Sequence, residues 1–223
     1  MRDRSARTAS YSVDLVLVTA MGNELAVLLT RSAGDRERWA LPWRIPQAGE
    51  TLDGAANRGA HEALGETPSW MEQIGAFGDA KRHPGDVDIS VAYVGLVPHE
   101  TASPRAGYTW FQITEVPPVS PRQRAMVEAA TKTIQARLDQ APIAFRLLPA
   151  TFTLSELQQM YELLLGKRLH KASFRRALQA AWLVEPTDEW RSEGRGRPAQ
   201  LFRYLPKKRR RAQRGVRFDF LFP

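Results

Sequence analysis

Apolar positions in the first half of the chain fall into short runs separated by turn residues, with one helical stripe among them. Residues 12–19 (Ser12-Val13-Asp14-Leu15-Val16-Leu17-Val18-Thr19) and Glu24-Leu25-Ala26-Val27-Leu28-Leu29-Thr30 read as strands around the turn signal Met21-Gly22-Asn23. Trp39-Ala40-Leu41-Pro42 follows, and a loop is then expected as far as Gly49. From Leu52 to Leu64 the spacing predicts a helix, stopped by Gly65. Further strands are expected at residues 74–77, 89–97 and 108–113, the second rich in β-branched and aromatic residues. Val116-Pro117-Pro118-Val119 breaks the pattern. Ser120 is then a good N-cap, and Pro121 fits the first helical turn, where no amide hydrogen is missed. That helix is expected to run to about Leu138, and Gln140-Ala141-Pro142 to divide the chain.

The pattern changes after the division. Thr153-Leu154-Ser155-Glu156 is a capping box, and Leu154, Leu157, Tyr161, Leu164 and Leu165 make one apolar stripe that Gly166 ends. After a short turn, a second helix is predicted over residues 171–182, with Phe174, Ala177, Leu178 and Ala181 facing inward. Ala172, Arg175, Arg176 and Gln179 then face out. Val184-Glu185-Pro186 and Ala199-Gln200-Leu201-Phe202-Arg203-Tyr204 frame a Gly- and Arg-rich loop, residues 187–198, as a hairpin would. The expected organisation is an α/β domain over residues 1–141, a helical and hairpin domain over 142–206, and a basic tail over 207–223.

Charge sharpens this division. The 223 residues carry a net charge of +8, yet residues 1–141 hold 15 basic against 17 acidic side chains. The remainder holds 17 basic against 7 acidic, so the whole excess lies in the last third. Such asymmetry points to a polyanion bound by one module only. No cysteine is present, which excludes disulfides and thiolate metal sites. No apolar run approaches the roughly 20 residues of a membrane span, so a cytoplasmic protein is expected.

Helix, tight turn, helix and arginine-tipped hairpin is the order of a winged helix-turn-helix, in which the second helix enters the DNA major groove. Ser173, Arg175, Arg176 and Gln179 are the side chains expected at base edges, since Arg pairs with guanine and Gln with adenine through two hydrogen bonds each. Arg168 and Lys171 stand at the helix start, where backbone amides also attract phosphate. Arg191, Arg195 and Arg197 are expected to add sequence-independent attraction from the wing. A merely solvated basic face is the competing reading. For the run Lys207-Lys208-Arg209-Arg210-Arg211, a solvated tail competes equally with a phosphate clamp.

In the first module, Gly49-Glu50-Thr51-Leu52-Asp53-Gly54-Ala55-Ala56-Asn57-Arg58-Gly59-Ala60-His61-Glu62-Ala63-Leu64-Gly65 resembles a Nudix box. In active Nudix enzymes, glutamates on that helix hold divalent cations that polarise a pyrophosphate and activate water. The match is partial: Glu50, Arg58, Glu62 and Gly65 fit, while Gly59 and Ala63 stand where the pattern has glutamates, and Trp43-Arg44 replaces glycines. No catalytic residue, metal or cofactor is therefore expected.

A Nudix-like sandwich followed by a winged helix is similar to the Nudix-related transcriptional regulators of NAD metabolism. Phe77-Gly78-Asp79-Ala80-Lys81-Arg82-His83-Pro84, Leu147-Leu148-Pro149, Phe152-Thr153-Leu154, Ser173-Phe174-Arg175-Arg176 and Arg197-Pro198-Ala199-Gln200-Leu201-Phe202-Arg203 also carry that similarity. The resemblance implies a homodimeric repressor on double-stranded DNA whose Nudix domain senses ADP-ribose or a related nucleotide. By position, it implies that Glu50, Arg58, Glu62 and Arg82 line the effector pocket; apart from the resemblance, Arg44 is read as a fixed positive charge in place of a metal. His83 is read as a surface-loop histidine, with a pocket role as the alternative. Two rival functions stay open: a pyrophosphohydrolase of nucleoside diphosphate derivatives, and a constitutive DNA-binding protein whose Nudix part is a dimerisation scaffold.

Overall fold

The computed structural model describes residues 10–32, 38–78, 83–138, 140–192 and 198–206. It divides into two compact units, Met1–Val18 with Ala26–Leu96 and Ser103–Ala130, and Thr19–Leu25 with Val97–Ala102 and Thr131–Pro223.

The first unit is built on a mixed sheet of 7 strands. Strands β1 (Tyr11–Met21), β2 (Glu24–Ser32), β3 (Arg38–Ala40), β4 (Trp43–Arg44), β5 (Trp70–Phe77), β6 (Ile89–Leu96) and β7 (Tyr108–Gln112) run in the order β3-β2-β1-β6-β5, with β4 paired to β1 and β7 to β2. β1 and β6 are parallel, Ser12 opposite Ser90 and Asp14 opposite Ala92. β1 is buried from Ser12 to Ala20 because it is covered on both faces, which explains its nearly continuous apolar run. Alternation sends Val13 and Leu15 to one face and Ser12 and Asp14 to the other. Helix α1 (Leu52–Leu64) packs on the Leu15 face, and the first turn of α2 (Pro121–Leu138) meets Ser90 on the opposite one.

The helices match the expected bounds closely, and α1 shows why. The Thr51 hydroxyl accepts from Gly54 N–H at 3.0 Å, and Gly65 closes the helix in the left-handed region at φ 82°. Three strand expectations need correction. Residues 42–49 are not all loop, since Trp43–Arg44 pairs antiparallel with Asp14 and Val13. The strand expected at 74–77 begins at Trp70; a register shift between Gln73 and Gly75 breaks its alternation and hides the first half. Residues 187–191 belong to a strand and not to the wing loop.

In the second unit, β8 (Thr151–Phe152), α3 (Leu154–Leu165), α4 (Lys171–Ala181), β9 (Val184–Arg191) and β10 (Ala199–Tyr204) follow in that order, the strands pairing as β8-β10-β9. Pro186 is tolerated because β9 is an edge strand. Phe145, Phe152, Tyr161 and Phe174 form an aromatic core with centroids 5.4–6.5 Å apart along the series. Leu157, Leu164, Leu178, Leu183 and Leu201 complete it.

Candidate effector site and nucleic-acid interface

Four of the five residues expected in the effector pocket come together beside α1. Arg58 grips Glu50 through two bonds, Nε to Oε1 at 2.9 Å and a terminal nitrogen to Oε2 at 2.8 Å. Gln47 N–H adds a third bond to Glu50 at 2.7 Å. These donors hold the Glu50 carboxyl well below its ordinary value, at about 2, chiefly through Arg58. Glu62 accepts from Arg44 on one oxygen and from Arg58 at 3.5 Å on the other. Arg44 also donates to the Trp43 carbonyl at 2.6 Å and to the Tyr108 hydroxyl at 3.0 Å. Burial works against the Arg44 charge, and the bonds to Tyr108 and Glu62 outweigh it, so its pKa is raised. Tyr108 was not legible as a member because β7 is distant in sequence. Arg82 lies outside the described residues.

The local packing explains the glycine in the middle of α1. A Cβ at Gly59 would stand 2.8 Å from Leu15 Cδ1 and 3.3 Å from Arg44 Cγ. Ala63 is also on the buried face, with no exposed surface. A glutamate at either position would have to displace core atoms and lose its hydration. The two carboxylates that remain already use all four oxygens on guanidinium and amide donors. A divalent cation of the magnesium type, which takes carboxylate oxygens in near-octahedral geometry, does not fit this set. Among the described residues, no group of three or more His, Asp or Glu is placed to hold a metal ion.

His83 departs from the surface-loop expectation. It is 3% exposed, and its Nε2 lies 2.8 Å from Oδ1 of the fully buried Asp14. Gly85 N–H donates to its Nδ1 at 3.0 Å, which assigns the ring proton to Nε2 and the donor role toward Asp14. Ser12 donates to the other Asp14 oxygen at 2.6 Å. A lone aspartate inside an apolar strand is the single hint of this pair at the level of sequence.

The second unit presents a different surface. Thr153 and Glu156 form the expected capping box, and Gly166 ends α3 at φ 66°. The turn into α4 is pinned from α3: Glu162 accepts from Leu169 N–H at 2.9 Å, and Gln158 donates to the Leu169 carbonyl at 3.1 Å. Phe174 and Leu178 are buried, which turns the opposite side of α4 to solvent. Arg175, Arg176 and Gln179 are exposed there, as are Arg168 and Lys171 at its start. Ser173 is half-buried, with its hydroxyl 3.3 Å from His170 Nδ1. Arg191 is not a free wing cation: it donates to Glu156 at 2.6 Å, bracing the wing strand against the start of α3. Arg195 and Arg197 lie outside the described residues.

A Nudix-like α/β sandwich followed by a winged helix with a basic, exposed second helix defines the class as a DNA-binding winged-helix protein with an N-terminal Nudix-like domain. Comparison with known proteins makes this particular. Residues 144–204 match the NrtR DNA-binding winged helix domain. The chain is 26% identical over 222 residues, 95% of its length and 85% of the relative's, to the ADPR responsive transcriptional repressor NtrR of Acinetobacter baylyi. Its structure is similar to that of Shewanella oneidensis NrtR complexed with a 27mer DNA, at 27% identity and TM-score 0.78, covering 87% of this chain and 93% of that one. The NUDIX domain of the same Shewanella protein, complexed with ADP ribose, matches in fold at 22% identity and TM-score 0.50, over 60% of this chain and 94% of that one. The chain is thus similar along its length to NrtR-type repressors, and its residues 144–204 match their DNA-binding winged helix domain. Among the described residues, no helix is long and apolar enough to cross a membrane.

Proposed function

We propose that the protein is a homodimeric cytoplasmic repressor whose operator affinity falls when its Nudix-like domain binds ADP-ribose or a related nucleotide. The observation carrying the reading is the exposed face of α4, where Arg175, Arg176 and Gln179 project from a helix whose other side is buried by Phe174 and Leu178. A symmetric dimer would set two such helices about 34–36 Å apart, one DNA turn, on a palindromic site. The Shewanella and Acinetobacter homologues support the nucleotide: one Nudix domain is known with ADP ribose, and the other repressor is ADPR responsive.

In this reading Arg44 and Arg58 supply the positive charge that a Nudix hydrolase takes from bound cations. Their partners Glu50 and Glu62 keep both guanidiniums in place and leave the network formally neutral, so a diphosphate engages the arginines by exchanging carboxylate for phosphate bonds. Binding is then independent of divalent metal. The chain works as a sensor and not as a hydrolase, with Gly59 and Ala63 filling positions that metal-binding glutamates would need.

Fluorescence anisotropy on a duplex from the promoter beside the protein's own gene tests this, with a scrambled duplex as control. Promoter-selective binding, weakened by ADP-ribose and unchanged by EDTA, is expected. Equal weak binding to both duplexes that falls steeply with salt would reduce the interface to phosphate attraction. Release of product from ADP-ribose with Mg²⁺, abolished in Glu62→Gln, would restore the enzyme reading.

A further inference from the structure

Strand β4 is only two residues long, and its two side chains serve opposite faces of the sheet. Its pairing places Arg44 opposite Val13 and Trp43 opposite Asp14. Arg44 therefore points to α1 and Glu62, while Trp43 lies on the other face, edge-on to His83 with ring centroids 5.1 Å apart. The two are also tied through the backbone, because the Arg44 guanidinium bonds the Trp43 carbonyl at 2.6 Å. Gly85 passes so close to the indole that a Cβ there would stand 2.5 Å from it. Trp43 thus cannot move toward Gly85 without moving the loop that holds His83.

From His83 the contacts continue inward without a break. His83 bonds Asp14, and Asp14 accepts from Ser12. Ser12 Oγ lies 3.2 Å from Ser90 Oγ, and Ser90 accepts from Arg122 at 3.4 Å. Arg122 is 2% exposed, stands in the first turn of α2, and also bonds the Val87 carbonyl at 3.1 Å. Helix α2 is continuous to Leu138 and so carries the chain from the first unit into the second. Every polar group between His83 and Arg122 is buried, where hydrogen bonds are strong and an unmade one is costly.

We infer that this buried relay, from Arg44 through Trp43 and the His83–Asp14 pair to Arg122, is the connection by which occupancy of the α1 site alters α2. The inference rests on the proposed effector reading. A phosphate that draws Arg44 from Glu62 also loosens its bond to the Trp43 carbonyl, so β4 shifts and the packed contacts beyond it rearrange. Close-packed polar clusters change by discrete rearrangement, which suits them to carry a switch. Trp43, His83 and Ser90 are in this sense positioning residues, which touch neither effector nor DNA.

The test separates coupling from folding and from binding. The readout is the ratio of operator dissociation constants with and without saturating ADP-ribose, measured on the full-length protein. Couplings of this kind are typically about 5- to 150-fold. Ser90→Ala cuts the far end of the relay and Trp43→Leu the near end. Both are expected to keep the ligand-free operator affinity and the ADP-ribose affinity within about twofold, while the ratio falls below about 2. Tyr93→Phe, which removes a buried hydroxyl bonded to Asp53 away from the relay, should keep the full ratio. Ser90→Thr retains the hydroxyl and serves as the second variant at that site; it should preserve coupling where alanine loses it. A wild-type ratio of one overturns the effector reading and the relay together. A wild-type ratio well above one that persists in Ser90→Ala and Trp43→Leu overturns the relay alone.

Discussion

Replacing Gly59 with alanine sets two physical effects of opposite sign against each other. In a helix interior, glycine costs about 0.5–1 kcal/mol relative to alanine, so propensity alone predicts that Gly59→Ala stabilises. The structure predicts the reverse. The new methyl would stand 2.8 Å from Leu15 Cδ1, closer than ordinary contact, and 3.3 Å from Arg44 Cγ. Leu15 is 1% exposed and has no solvent to retreat into. Overpacking of this kind costs about 1–3 kcal/mol, which leaves a net loss of about 1 kcal/mol after the propensity gain. That corresponds to a fall in Tm of about 4 °C, read by calorimetry or circular dichroism. Leu15→Ala supplies the internal control, because it removes the atom that is struck. Gly59→Ala in that background should stabilise, through its propensity gain and by filling part of the cavity. The difference between backgrounds is the coupling energy of a double-mutant cycle. A stabilising Gly59→Ala in the wild-type background, or zero coupling to Leu15, refutes the argument that glycine is required for α1 to approach β1.

Three further outcomes follow from the same geometry. Glu50 has its pKa lowered to about 2 from an ordinary 4.5, so the stability it contributes is present above pH about 4.5 and lost as the pH falls toward 2. Arg58→Met should flatten that acid limb of a Tm-against-pH curve, and an unchanged limb would remove Arg58 as its cause. Arg176→Ala should cost about 1–3 kcal/mol of discrimination at one operator base pair, whereas Lys171→Ala should weaken all duplexes alike and lower the salt slope by about 1. Arg191→Ala should lower thermal stability by about 1 kcal/mol or less, its ion pair with Glu156 being partly exposed, and leave the salt slope unchanged. A reduced slope would return Arg191 to the DNA backbone.

What was legible in the sequence is what local chemistry determines. Gly65 ends α1, Thr153 with Glu156 and Gly166 bound α3, and each cap acts within a few residues of itself. The outward set of α4 followed from its 3.6-residue period, because Phe174 and Leu178 leave the helix one way to face. Strand β4 was not legible. Two residues have no periodicity, and Pro42 and Pro46 around them read as loop punctuation; only β1 as partner makes Trp43–Arg44 a strand. The same limit hid the Asp14–His83 pair and the Arg191–Glu156 brace, whose members are 69 and 35 residues apart.

These unreadable contacts explain the departures that the sequence displayed without explaining. Trp43-Arg44, Gly59 and Ala63 each look like separate losses from a Nudix box. In the fold Arg44 and Gly59 lie side by side. Arg44 enters from β4 with its stem 3.3 Å from where a Cβ at residue 59 would stand, beside the closer Leu15 Cδ1 at 2.8 Å. Its guanidinium then takes the Glu62 carboxylate, which removes an oxygen that a cation would need. The companion Trp43 is forced to the opposite face by strand alternation, where it meets His83. In the proposed reading, where a fixed guanidinium stands in for a bound cation, that guanidinium is joined through the backbone to a side chain on the sheet's other face. A cation is held by side chains that stop at the site, whereas the backbone of Arg44 continues directly into Trp43 on the strand's other face, which is the geometry that the inferred relay uses. Placing a glutamate at residue 59 alone should accordingly fail to create metal binding, since Leu15 and the Arg44 stem crowd that position and the Arg44 guanidinium already holds Glu62.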